Sequence, residues 1–173
     1  AYLALHRERP VERRVLSNLL WSERSEVSAR RNLRQALHNL RGVFAREIDL
    51  PPLFVGSRTT VQLNPELDCW LDVDSFRESA DEGLADEDGG DETALSVAAR
   101  LYVGDLLAGF GVEGAPAFDD WLREAQDELR RQVTAVYRKL VAAALEGNNH
   151  RLGIDYAHRL LTFDPASEEA HRQ

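Results

Sequence analysis

A chain of 173 residues with 43% apolar content is long enough for one large or two small hydrophobic cores, and with Cys69 as its only cysteine it can form no internal disulfide. No apolar run approaches the roughly 18 residues a membrane span requires, and no signal-peptide pattern is present, so a soluble cytoplasmic protein with no membrane partner is expected. The net charge of −9 hides an asymmetry, because residues 1–60 carry +5 and residues 61–173 carry −14. A basic N-terminal part suits a polyanion, and an acidic remainder repels one.

Residues 1–6 read as a helix that begins mid-element, so the first element is expected to be incomplete. Pro10 and Val11 interrupt it. From Glu12 to Trp21, Val15, Leu16, Leu19 and Leu20 recur on one face of a short helix, with Trp21 closing the core. The polar turn Ser22 to Arg24 leads into a long amphipathic helix from Ser25 to Arg46. Ser25 is a fitting N-cap and Glu26 places negative charge where the helix dipole favours it. Ala29, Leu33, Ala36, Leu37, Leu40, Val43 and Phe44 fall on one stripe, and Arg30, Arg31, Arg34, Gln35, His38 and Arg41 fall opposite. Two helices joined by a short turn, the second of them basic, form a helix-turn-helix pattern. Leu53 to Val55, Gly56-Ser57, then Thr59 to Leu63 read as a β-hairpin whose tip carries Arg58, Thr59 and Thr60. A hairpin directly after a basic helix is a wing, and three helices plus a wing make a winged helix.

Beyond Pro65 the pattern turns helical. A short helix is expected from about Asp72, then a solvated acidic loop from Glu78 to Glu92. Thr93 to Tyr102 and Phe118 to Glu146 keep a helical period, with a glycine-rich connection between them. Gly147, Asn148 and Asn149 end the long helix, and a further helix runs to Phe163 before Asp164 and Pro165. Helix pairs of this size suggest a tetratricopeptide-like array. Aligned on Pro165, Tyr137, Leu140 and Gly153 fit that repeat pattern, while Val141, Ala144, Ala157 and Leu160 do not.

These residues together resemble a known family. Leu20-Trp21, Ala29 to Arg41, Thr60 to Pro65 and Asp72-Val73-Asp74-Ser75-Phe76 look like the DNA-binding end of the Streptomyces antibiotic regulatory protein (SARP) type of activators. Ala99 to Leu107, Trp121-Leu122 and Asp164 to Arg172 look like the bacterial transcriptional activator domain. The resemblance implies an OmpR-like winged helix that binds direct repeats near promoters. It also implies a helical domain used for homodimerisation and for contact with RNA polymerase or other transcription machinery. The strands that family carries before its first helix are missing here, so the winged helix is expected to be N-terminally incomplete, and the sequence stops inside an expected helix at Gln173, so the activator domain is expected to be C-terminally incomplete.

The fold expected is therefore mainly α, with a winged helix-turn-helix bearing a β-hairpin wing in residues 1–66 and an all-α tetratricopeptide-like domain in residues 67–173. Arg31, Arg34, Gln35 and His38, nearest the centre of the polar arc, are the candidates for base contact with double-stranded DNA. Arg30 and Arg41 at its margins suit phosphates, and Arg58, Thr59 and Thr60 of the wing suit phosphates or the minor groove. Arg13 and Arg14 open the second helix, where amides also hold phosphate, though Glu12 opposes it. Against each stands a plainer reading, a solvated helix face or an ordinary hairpin turn. The acidic run and Asp68, Asp72 and Asp74 lack metal-ligand spacing, and the scattered histidines form no zinc pattern, so no metal or cofactor is expected. No phosphate loop or nucleophile elbow appears, so an enzyme is not expected. The rival function is a protein-interaction scaffold or signalling module with a vestigial winged helix.

Overall fold

Proline at position 10 cannot continue a helix and favours extended backbone around it. The chain accordingly turns through α1 (Tyr2–Leu5) and straightens into β1 (Val11–Glu12) before α2 (Arg13–Trp21). The computed structural model describes residues 1–44, 51–85 and 91–163. After α2 come α3 (Glu26–Phe44), β2 (Phe54–Gly56) and β3 (Thr60–Leu63). The sheet order is β1-β3-β2, all antiparallel, with Val11 opposite Val61 and Phe54 opposite Leu63. β1 departs from the sequence reading, in which the helix began at Glu12; two residues are too few for alternation to reveal a strand.

One core serves these elements. Leu16 of α2, Leu33 and Leu37 of α3, and Val11, Phe54 and Val61 from the three strands are buried together, with Trp21 packed against them. Each such side chain contributes about 1.5–3 kcal/mol when fully buried. The expected faces are only partly used. Val15 of α2 and Leu40, Val43 and Phe44 of α3 are exposed, while Ala29, Leu33 and Leu37 are buried. Ser25 accepts a long bond of 3.4 Å from the Ser28 amide at the head of α3. Arg46, the expected end of that helix, lies outside the described residues.

The remaining helices are α4 (Asp72–Leu84), α5 (Glu92–Leu101), α6 (Pro116–Glu146) and α7 (His150–Phe163). The acidic run is corrected by α4: Glu78, Asp81 and Glu82 lie on a helix rather than in a loop. Phe76, Ala80 and Gly83 repeat at helical spacing and are buried, so the acids simply occupy the wet face. Asp86 and the residues to Gly90 lie outside the described residues. Asp91 caps α5, accepting bonds from the amides of Thr93 at 2.7 Å and Ala94 at 3.3 Å. Asp72, the first residue of α4, accepts from the Val73 amide at 2.8 Å, while the cap position itself is Leu71 and makes no side-chain bond.

Proline at the first position of α6 loses no intrahelical bond. The helix ends where Asn148 takes the left-handed conformation at φ 54°, and Asn149 then accepts from the Leu152 amide of α7 at 3.3 Å. The second core joins Phe76, Ala80, Leu95, Ala98, Tyr102, Leu129, Val133, Val136, Tyr137, Leu140 and Leu160. Val141, Ala144, Ala157 and Leu160, which depart from the repeat pattern, are as buried as Tyr137 and Leu140. Helical period, not residue identity, decides that burial. Pro165 lies outside the described residues.

The chain divides into two compact units, Ala1–Trp70 with Gly109–Arg123, and Leu71–Ala108 with Glu124–Gln173. The boundary expected after residue 66 falls near the Trp70–Leu71 division between these units. Within the first unit the aromatic side chains of Tyr2 and Trp121 lie 5.0 Å apart, and those of Phe118 and Trp121 lie 5.3 Å apart.

Candidate nucleic-acid interface

The positions of the basic side chains follow from two simple constraints. Burying Ala29, Leu33 and Leu37 fixes the rotation of α3 and turns the six polar candidates outward. Pairing β1 with β3 fixes the hairpin beside the start of α2, because the register that sets Glu12 opposite Thr60 continues with the Arg13 amide donating to the Thr59 carbonyl at 2.8 Å. Between them lies a groove of about 700 Å³ lined by Arg13, Arg14, Arg30, Arg34, Arg41 and Arg58, with Glu12, Leu33, Ser57 and Thr59. It is strongly cationic.

The hairpin tip is internally built. Ser57 Oγ accepts from the amides of Thr59 at 3.2 Å and Thr60 at 3.1 Å, and its hydroxyl lies 2.9 Å from Thr60 Oγ1. Gly56 is needed at the bend, since its φ is +150° and a Cβ there would meet the Thr60 carbonyl oxygen at 2.5 Å. Arg13 Nε also donates to the Ser57 carbonyl at 3.2 Å. Burial, and after it the positive charge of Arg41, lower the pKa of the Arg13 guanidinium. Two cations are thus held close enough to repel, an arrangement that an anion would relieve.

Not every predicted residue meets in this groove. Arg30, Arg34, Arg41, Arg58 and Thr59 line it. Arg30 is already paired with Glu26 at 2.5 Å. Arg31, Gln35 and His38 are exposed on α3 and do not line the groove; Gln35 donates to Asn39 Oδ1 at 2.8 Å. Thr60 is half-buried in β3 and turned toward Ser57. Arg34 therefore sides with Arg30 and Arg41, although helical spacing alone had grouped it with Arg31. Arg13 is legible in the sequence only as a phosphate candidate at the head of the second helix; its bond to the hairpin is not, because that depends on a strand pairing across more than forty residues.

A second polar cluster lies in the other unit. Tyr102 Oη donates to Asp105 Oδ1 at 3.0 Å. Arg130 Nε donates to the same oxygen at 2.8 Å, and its terminal nitrogen donates to Asp105 Oδ2. The bonds from Arg130, aided by that from Tyr102, hold the Asp105 carboxyl below its ordinary pKa, while burial opposes them. Burial first, then the bond to Asp105, push the Tyr102 phenol up to about 12. Tyr102 and Asp105 sit inside Leu101-Tyr102-Val103-Gly104-Asp105-Leu106-Leu107, and the bonds from Arg130 of α6 fasten this stretch to that helix. Gln126 strengthens the attachment by donating to the Leu106 carbonyl at 2.8 Å.

Residues 71–173 match the family described as Bacterial transcriptional activator domain. The chain belongs to that family. This domain is found in SARP-type activators, and it ties the chain to bacterial transcriptional activation, with DNA or the transcription machinery as the class of partner. The Tyr102–Asp105–Arg130 cluster and the α4–α7 core fall wholly within the matched segment. Comparison with curated proteins returns no match. Among the described residues, no helix is long and apolar enough to cross a membrane.

Proposed function

We propose that this bacterial transcriptional activator domain protein is a sequence-specific DNA-binding regulator, in which residues 1–66 form a winged helix and α4–α7 serve dimerisation and contact with RNA polymerase. The observation that carries the reading is the groove in which six arginines from α2, α3 and the hairpin tip converge. A hydrated surface of scattered charges has no reason to converge; a phosphate backbone gives one. α3 is then the recognition helix. Arg31, Gln35 and His38 face the base edges, and Arg30, Arg34 and Arg41 hold phosphates along its flank. Arg58, Thr59 and Thr60 make up the wing. The protein acts in the cytoplasm, at the nucleoid, by binding direct repeats near promoters. It needs no cofactor or metal and performs no catalysis.

The test is selection of bound sequences from a random DNA pool, followed by affinity measurement across salt. A recurring motif, spaced as a direct repeat, is expected. With about six phosphates neutralised, affinity should fall by about three orders of magnitude between roughly 50 and 200 mM salt. Recovery of no motif, with binding indifferent to salt, would leave the helical domain as a protein-interaction scaffold.

A further inference from the structure

Arg13 lies outside the recognition helix and outside the hairpin, yet it touches the hairpin twice. Its amide continues the β1–β3 pairing onto Thr59 at 2.8 Å, and its Nε reaches the Ser57 carbonyl at 3.2 Å. The two contacts differ in kind. Any residue but proline supplies the amide, but only a guanidinium carries an N–H partway along the side chain while leaving two terminal nitrogens free. The Nε bond therefore fixes the hairpin tip, and the terminal nitrogens remain available to the groove that Arg13 lines with Arg41 and Arg58. The base of the hairpin is held by the β1–β3 pairing and by Phe54 and Val61 in the core, whereas its tip, at Ser57, lies beyond both. β2 and β3 span three and four residues, and the contacts of Ser57 with Thr59 and Thr60 are internal to the tip.

We infer that Arg13 is the positioning residue of the wing, so that the contact Arg58 makes with a DNA phosphate depends on the Arg13 Nε–Ser57 bond and not merely on the charge of Arg13. The inference rests on the DNA-binding reading and deepens it. Mutual repulsion between Arg13 and Arg41 supports it, because a phosphate bound between them would relieve that repulsion and tighten the groove around the wing. Glu12, which also lines the groove, sets a limit on how much anionic charge enters.

Lysine at position 13 keeps the charge and removes the Nε donor, which separates the two roles. On the selected DNA site, Arg58→Ala in the otherwise natural chain should weaken binding by about five- to tenfold and reduce the salt slope by about 1. In the Arg13→Lys background the same Arg58→Ala change should alter affinity by less than about twofold and leave the salt slope alone. Amide hydrogen exchange at Thr59 and Thr60 should quicken in Arg13→Lys without DNA, while the core amides of α3 keep their protection, which shows that the variant is folded. Equal effects of Arg58→Ala in both backgrounds, or unchanged exchange at the tip, would overturn the inference. A natural chain that binds no DNA would instead overturn the reading beneath it, so the two failures are told apart by the parent protein alone.

Discussion

Arg31 and Arg41 are both exposed arginines on α3, but they face different surroundings. Arg41 lines the cationic groove beside Arg13, and Arg31 does not line it. Arg31→Ala should cost about 1–3 kcal/mol of discrimination between the selected site and random DNA. Arg41→Ala should weaken both alike and lower the salt slope by about 1. Binding curves for each variant on both DNAs decide this, and equal losses for the two variants would remove the division between base reading and phosphate contact. In the activator domain, Asp105 is the residue to change. Its depressed folded pKa means that its contribution to stability is present above the ordinary carboxylate value of about 4 and is lost as pH falls through the lower folded value. With solvent screening at the half-exposed Arg130, Asp105→Asn should cost about 1 kcal/mol or less at neutral pH. Urea unfolding at pH 7 and near pH 2 should show that penalty shrinking in acid. Tyr102 acts in the opposite range, since its contribution is present below about 10 and fades as pH rises toward the folded value of about 12.

At the scale of elements, α4 and α5 meet through a missing side chain. A Cβ on Gly83 would stand 2.7 Å from Leu95 Cγ and Cδ2 and 2.9 Å from the Leu95 amide nitrogen. Because backbone is among the atoms met, rotamer adjustment cannot relieve the contact. Gly83→Ala, although alanine is the better helix former, should therefore destabilise the domain by about 1–3 kcal/mol. A denaturant midpoint equal to or above that of the parent would show that helix propensity outweighs the close approach. The same residue explains why α4 exists at all. The run from Glu78 is acidic enough to read as loop, but Phe76, Ala80 and Gly83 give it a buried face against Leu95, and tertiary burial outweighs composition.

For the whole molecule, the charge division and the packing division do not coincide. The basic segment ends near residue 60, whereas the first compact unit also takes in Gly109–Arg123, including the Trp121 that packs on Tyr2. A fragment ending at residue 66 keeps every groove arginine but loses this aromatic packing. It should retain intrinsic DNA contact at low temperature, melt several degrees below the corresponding transition of the full chain, and fail to activate transcription. Thermal melts followed with DNA-binding and reporter assays check all three. Equal melting would show that residues 109–123 contribute nothing to the basic unit, and retained activation would overturn the assignment of activation to the helical domain.

Local pattern was enough to determine the hairpin, the charge asymmetry and the helices other than the acidic half of α4, since these depend on periodicity, on Gly56 and the prolines, and on counting. It also determined which residues of α3 are polar, and its motif order already pointed to the transcriptional activator family. Tertiary structure decided what repeats and charges cannot express. Pairing of β1 with β3 brought Arg13 onto Ser57, the rotation of α3 moved Arg34 to the flank of Arg30 and Arg41, and residues 109–123 joined the N-terminal unit. The reason is the same in each case. Each relation either joins residues far apart in the chain or follows from a helix rotation set by distant partners, and its energy comes from contacts that exist only once the cores have formed.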